Sequence, residues 1–179
     1  MRGLDYGAFD ALTFDCYGTL IDWEAGILAA LRTVLPAGTG DGADDEALLE
    51  EYANAEATLE HGPYRRYREI VGEGMAAVAR AHGADPTPDD IARLGGSVAD
   101  WPAFPDSHDA LVRLKSRFRL GVLTNCDDDL FAASHERLGV TFDWVVTAQR
   151  GGSYRPDERN FAPLLKRLAA GGVTQGRIL

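Results

Sequence analysis

Short apolar runs alternate with helical stripes at both ends of the chain. The run at 11–14 stops abruptly at Asp15, which is typical of a buried strand that delivers a carboxylate to a loop. Similar runs predict strands at 120–123 and 144–146, with a last strand opening at 177–179. Helical periodicity predicts helices at 106–117, 127–138 and 157–169. Such alternation favours a doubly wound α/β fold around a parallel sheet.

The middle of the chain has only helical periodicity. Apolar stripes predict four helices, at about 22–35, 48–59, 67–79 and 89–94. An acidic, glycine-rich loop is expected at 38–45, between the first two. We therefore predict an α/β core formed by residues 1–20 and 100–179, with a four-helix domain inserted at 21–99.

Composition narrows the range of partners. The 179 residues include 18 Lys and Arg against 28 Asp and Glu, a formal charge of −10, which argues against nucleic acid as a partner. The two cysteines, Cys16 and Cys126, are far apart and indicate neither a disulfide framework nor a zinc site. No membrane-length apolar run or signal-peptide pattern is present. We expect a soluble, cytoplasmic protein with no membrane partner.

Candidate chemistry lies just after the predicted strands. Ligands of open parallel sheets bind outside the carboxyl ends of the strands, so the segments at 15–19, 124–126 and 148–155 are expected to meet there. Asp15 has the residue type of a covalent nucleophile, and Gly18 permits the tight turn that follows it. Alternatively, Asp15 only caps a turn, which is an equally good interpretation of an isolated Asp-x-x-Gly-Thr sequence.

Three segments together resemble the motifs of the haloacid dehalogenase superfamily. They are Phe14-Asp15-Cys16-Tyr17-Gly18-Thr19-Leu20, Leu120 to Asn125, and Ser153-Tyr154-Arg155-Pro156-Asp157. Tyr17 matches the 2-haloacid dehalogenase-like branch, since phosphatases usually have a second Asp there. The resemblance implies a Rossmann-like core with a helical cap, and hydrolysis of a small anionic substrate through an aspartyl ester.

The resemblance also assigns roles to residues. Asp15 is expected to attack, and Arg155 to offset the accumulated negative charge. Thr19, Thr124 and Asn125 are expected to bind the anion or orient Asp15. Cys16 and Tyr17 are expected to contribute to substrate binding, Cys16 through its backbone N–H alone. No cofactor is implied by this mechanism.

Several positions depart from the pattern of the family. Arg155 replaces the usual lysine, which keeps the charge but changes the shape of the group. An approximate alignment places Glu51 where the dehalogenases have a halide-binding arginine, and Phe161 where they have a tyrosine. The acidic fourth motif, expected after the strand at 177, is absent from these 179 residues. Either the chain is a fragment, or another polypeptide completes the site, or hydrolysis does not occur.

Two other functions stay open. A magnesium-dependent phosphatase would use Asp15 as a metal ligand, although Tyr17 is a poor general acid at neutral pH. A catalytically silent homologue would bind a ligand or partner, and the short last strand makes a homodimer possible. The acidic run at 127–129 has the residue types of metal ligands, but acidic residues at the start of a helix are usually explained by capping and the helix dipole.

Overall fold

The computed structural model describes residues 5–38 and 45–179, and it confirms the α/β fold with a parallel sheet. Three strands form the sheet: β1 (Ala11–Phe14), β2 (Arg119–Thr124) and β3 (Trp144–Thr147). Their helices are α1 (Trp23–Leu31), α2 (Asp45–Glu60), α3 (Tyr67–Ala81), α4 (Pro88–Gly96), α5 (Ser107–Lys115), α6 (Asp128–Leu138), α7 (Ala148–Gly151) and α8 (Glu158–Ala170). Of the predicted loop at 38–45, residues 39–44 lie outside the described residues.

The winding of the sheet reverses at β1. β1 pairs in parallel with β2, and β2 with β3, so the strand order is β1-β2-β3. The end of the chain returns to the free edge of β1, where Ile178 forms a parallel bridge with Ala11. The Leu179 N–H donates to the Ala11 carbonyl at 3.1 Å. The predicted last strand therefore begins at this edge, and the carboxyl end of β1 lies at the switch point where such folds bind ligands.

Both faces of the sheet are buried. Leu120 and Val122 of β2 belong to the larger core, which also contains Phe131 of α6. Leu123 points to the opposite face, where it packs with Leu164 and Leu168 of α8. This two-sided coverage explains why the sequence of β2 is a continuous apolar run rather than an alternating one.

The helices α1–α4 all lie between β1 and β2, as the hydrophobic pattern predicts. Their bounds differ from the predicted ones by up to four residues: α1 ends at Leu31 rather than at 35, α2 begins at Asp45 rather than at 48, and α4 begins at Pro88 rather than at 89. Thr87 and Asp90 form a reciprocal capping box there. Helices α3 and α4 approach closely, since a Cβ added at Gly95 would lie 2.0 Å from the Arg68 carbonyl oxygen. The division of the chain into a core and an inserted domain stays a prediction.

The remaining helices also match their predicted positions. α5, α6 and α8 begin and end within two residues of the predicted bounds. The short helix α7 is not predicted by the sequence, which has no apolar stripe over 148–151. Among residues 5–38 and 45–179, no helix is both long and apolar enough to cross a bilayer.

Candidate active site

Asp15 is the first residue after β1, and its carboxylate lies at the carboxyl edge of the sheet. Its Oδ1 accepts hydrogen bonds from the Cys16 N–H at 2.7 Å and from Arg155 Nη2 at 2.6 Å. About a third of the side chain is exposed, 34%, so the carboxylate is accessible from the adjoining cavity. The alternative in which Asp15 serves only as a turn cap does not describe this geometry.

A turn holds the segment after Asp15 in place. The Leu20 N–H donates to the Cys16 carbonyl at 2.7 Å, and the Gly18 N–H donates to Ile21 at 2.8 Å. Gly18 has a φ of +87°, and a Cβ there would lie 2.9 Å from the Trp23 ring. A glycine is therefore required at this position both by the backbone and by the packing.

Arg155 connects the ends of the strands. It follows α7, and its backbone N–H donates to Asn125 Oδ1 at 2.8 Å while its Nη2 reaches Asp15. Its Nε is also near Asn125 Oδ1, at 3.4 Å. The guanidinium fork thus fixes two residues from separate strand ends, which a lysine ammonium at the end of a flexible chain cannot do in the same way.

Three of the predicted site residues belong to the turn after β1, and the structure places them differently. Cys16 is buried, and its N–H donates to Asp15 rather than facing the cavity. Tyr17 lines the cavity, with its hydroxyl 3.0 Å from Ser134 Oγ and 3.2 Å from Cys126 Sγ. Burial raises the pKa of Tyr17 far above its usual value. Thr19 is exposed on the turn, and the structure does not bring it into the group around Asp15.

Thr124 ends β2 and is 1% exposed. Within residues 5–38 and 45–179, its buried hydroxyl finds no hydrogen-bond partner. Ser153 Oγ, in the third motif, is a second buried hydroxyl of this kind. Unpartnered buried hydroxyls are uncommon and cost stability, so their presence in two of the three motifs is consistent with a functional role.

A cavity of about 170 Å³ adjoins Asp15. Its other lining residues are Tyr17, Trp23, Glu56, Glu60, Tyr67, Asn125 and Arg155. Sequence reasoning missed Glu56 and Glu60 as site residues. The signal was present, because both continue at intervals of four the stripe that begins with the buried Leu48 and Tyr52 of α2.

The sequence alignment of Glu51 with a halide-binding arginine is not supported. Glu51 is on α2, but its Oε2 pairs with His82 Nε2 at 2.9 Å, away from the cavity. Phe161, aligned with the tyrosine of the dehalogenases, is 42% exposed. It lines a separate cavity on the α8 side of Asp15, together with Leu164 and Ile178.

The acidic run at 127–129 joins the core to α3. Asp127 is fully buried and accepts from the Tyr67 N–H at 3.0 Å, and from the Arg68 N–H and Nε, both at 3.2 Å. It therefore caps α3, whose own N-cap residue, Arg66, makes no side-chain cap. The sequence predicts that these acidic residues cap the start of their own helix, α6. Asp127 instead caps the start of α3.

The residues around Asp15 do not by themselves fit a magnesium ion. Over residues 5–38 and 45–179, no three His, Cys, Asp or Glu side chains are close enough together to hold a metal. The Asp15 oxygen that has partners already accepts from the Arg155 guanidinium.

Solved structures with the same fold include several dehalogenases. The L-2-haloacid dehalogenase from Xanthobacter autotrophicus, with chloropropionic acid covalently bound, has a TM-score of 0.77 at 20% identity over 95% of this chain and 68% of that one. A defluorinating L-2-haloacid dehalogenase has a TM-score of 0.75 at 21% identity, covering 95% and 71% of the two chains. Another dehalogenase has a TM-score of 0.75 at 24% identity, covering 95% of this chain and 74% of that one. None of the curated proteins matches this chain.

The sequence itself matches a family model. The model of the haloacid dehalogenase-like hydrolases covers residues 9–178, nearly the whole chain. The match includes all three segments that carry the sequence resemblance, and two of them supply the Asp15–Arg155 pair. The chain therefore belongs to the haloacid dehalogenase-like hydrolase family.

Proposed function

We propose that this protein hydrolyses a small organic substrate through a covalent ester on Asp15. The observation that carries the proposal is the Asp15 carboxylate, which borders a cavity and has one oxygen fixed by two donors. Both hydrogen bonds described for this side chain go to Oδ1, which leaves Oδ2 to attack. The covalent chloropropionic acid adduct of the Xanthobacter relative supports the same type of chemistry.

In the first step, Oδ2 attacks the carbon that bears the leaving group. For a 2-haloacid, a C–O bond forms as the C–halogen bond breaks, and the halide leaves with the bonding electron pair. The Arg155 guanidinium holds Oδ1 at 2.6 Å and so orients the Asp15 carboxylate for this attack. The NH₂ group of Asn125 remains as a donor for the carboxylate of the substrate, because its Oδ1 is held by Arg155.

In the second step, the two donors at Oδ1 serve as an oxyanion hole. Oδ1 becomes the carbonyl oxygen of the ester, and water attacks the carbonyl carbon. The negative charge then develops on Oδ1, where the Cys16 N–H and Arg155 are already within 2.7 Å. Collapse of this intermediate releases the 2-hydroxyacid and a proton and restores the carboxylate of Asp15.

The matched variants Asp15→Asn and Asp22→Asn test this proposal. With 2-chloropropionate as the probe, Asp15→Asn should lower halide release by at least about a thousandfold. Asp22→Asn should retain activity, because Asp22 caps α1 and asparagine is an equally good N-cap residue. Undiminished halide release by Asp15→Asn would contradict the proposal. Release by neither variant nor the parent protein would instead favour a silent binding protein.

A further inference from the structure

The side of the cavity that faces Asp15 is acidic and aromatic. Helix α2 contributes Glu56 and Glu60, and three rings complete the wall: Tyr17, Trp23 and Tyr67. The cavity is small, with a volume of about 170 Å³. A small substrate held at Asp15 must therefore also contact this wall.

The charges of the cavity are not balanced. Arg155 is the cationic residue among its lining residues, and it is bound to Asp15. Among the residues that line the cavity, Glu56 and Glu60 therefore have no cation in a salt bridge with them. A purely anionic substrate would be attracted at the Asp15 end by hydrogen-bond donors and repelled at the α2 end by Glu60 in its ionised form.

The rings and Glu56 form a fixed surface. Glu56 Oε1 accepts from the hydroxyls of Tyr52 at 2.9 Å and Tyr67 at 3.0 Å. The Tyr17 and Tyr67 rings pack 6.2 Å apart, and Trp23 packs 6.4 Å from Tyr52. Because the rings pack against one another, this aromatic wall is in place before a ligand arrives.

Glu60 is the carboxylate best placed to meet a ligand. It lines both the cavity at Asp15 and the larger opening of about 640 Å³ between α2 and the third motif. Burial, and then the neighbouring Glu56, raise the pKa of Glu60 to about 7, against the lowering influence of Arg155 and His61. A cation in the cavity would supply the missing countercharge.

We propose that the substrate carries an ammonium group, which binds between Glu60 and the rings of Trp23 and Tyr67 while its anionic end is held near Asn125. This inference rests on the proposed function, because it assumes that the cavity receives the substrate of Asp15. It narrows the substrate class from small anions to small zwitterions. Glu60 is then a specificity residue that discriminates against substrates with a methyl group at the same place.

A pair of unreactive compounds tests the recognition step alone. β-Alanine and butyrate share a carboxylate and chain length, and differ by an ammonium in place of a methyl group. Calorimetry with the whole chain at pH 8 should show β-alanine binding at least tenfold more tightly than butyrate. Glu60→Gln should reduce this ratio to less than twofold, whereas Glu51→Gln, an exposed control on the same helix, should preserve it. Equal binding, tighter binding of butyrate or binding of neither compound would overturn the inference.

The 2-chloro derivatives of the same pair test the link to catalysis. The parent protein should release chloride from 3-amino-2-chloropropionate with a kcat/KM at least tenfold above that for 2-chlorobutyrate. An equal or greater kcat/KM for 2-chlorobutyrate would overturn the inference and leave the ester mechanism standing. Selective binding of β-alanine without chloride release from either compound would refute the proposed function while supporting the recognition of the cation.

Discussion

Asp127 offers a test of how the core holds α3. In the variant Asp127→Asn, one side-chain oxygen is retained and the other becomes an NH₂ group. Asp127 currently accepts from the backbone N–H groups of Tyr67 and Arg68 and from Arg68 Nε. An NH₂ group would face a donor at one of these positions, so at least one hydrogen bond must be lost.

The structure gives the size of the expected effect. Breaking a buried ion pair costs about 3–5 kcal/mol. Asp127 is 0% exposed, but the Arg68 side chain is 36% exposed and remains hydrated in the variant. One oxygen also stays in place, so we expect a loss of about 2–4 kcal/mol of unfolding free energy, from one or two hydrogen bonds to a charged group. This corresponds to a fall in Tm of roughly 4–16 °C for a chain of this size.

Urea unfolding and thermal melting measure this loss. Asp129→Asn is the matched control, since Asp129 contacts the same Arg68 but is 62% exposed. Its replacement should cost less than about 1 kcal/mol. If Asp127→Asn were as stable as the parent protein within 0.5 kcal/mol, roughly the limit for an ordinary surface substitution, the capping of α3 from the core would be refuted.

Further variants test the site and the packing around it. Arg155→Met should lower the kcat of steady-state halide release by about 100-fold or more, because it removes a donor to the oxyanion. The kcat of Arg155→Lys should lie between that of Arg155→Met and that of the parent. Burial raises the pKa of Glu60 to about 7 in the folded protein, against about 4.5 in the unfolded chain. Between these two pH values Glu60 keeps its proton only when folded, so the free energy of unfolding falls as the pH rises through that window. Glu60→Gln should therefore be more stable than the parent at pH 8 but not at pH 4, and a difference of the opposite sign in urea unfolding would contradict this. Gly95→Ala should cost about 1–3 kcal/mol or more in the same assay, since its Cβ would overlap the Arg68 carbonyl, and unchanged stability would show that the helices are less closely packed.

The sequence predicts the elements of this fold well for an identifiable reason. Strands buried on both faces, such as β2, give short continuous apolar runs, and the helices between them give clear stripes. The short α7 escapes prediction because a four-residue helix has too few positions to show a period. The sequence predicts that a strand begins at 177, but not that it pairs with β1, because the partner of a strand depends on residues distant in sequence.

The site was only partly predictable from local motifs. Asp15 and Asn125 directly follow β1 and β2, and Arg155 lies in the segment after β3 and α7. Parallel topology brings these ends together. Thr19 shares a motif with Asp15, but the turn at Gly18 leaves it exposed. Glu60 belongs to no motif. The stripe that it shares with Leu48 and Tyr52 indicates an inward-facing position, but its place beside Asp15 depends on how α2 packs against α1 and α3.

Isotope labelling tests the central claim most directly. The protein would turn over 2-chloropropionate, or 3-amino-2-chloropropionate, repeatedly in ¹⁸O-labelled water, and its peptides would then be analysed by mass spectrometry. If water attacks an ester carbonyl on Asp15, ¹⁸O must appear in the carboxylate of the peptide that contains Asp15. Label in the hydroxyacid product from the first turnover, with none in that peptide, would show that water attacks the substrate directly and would contradict the covalent mechanism.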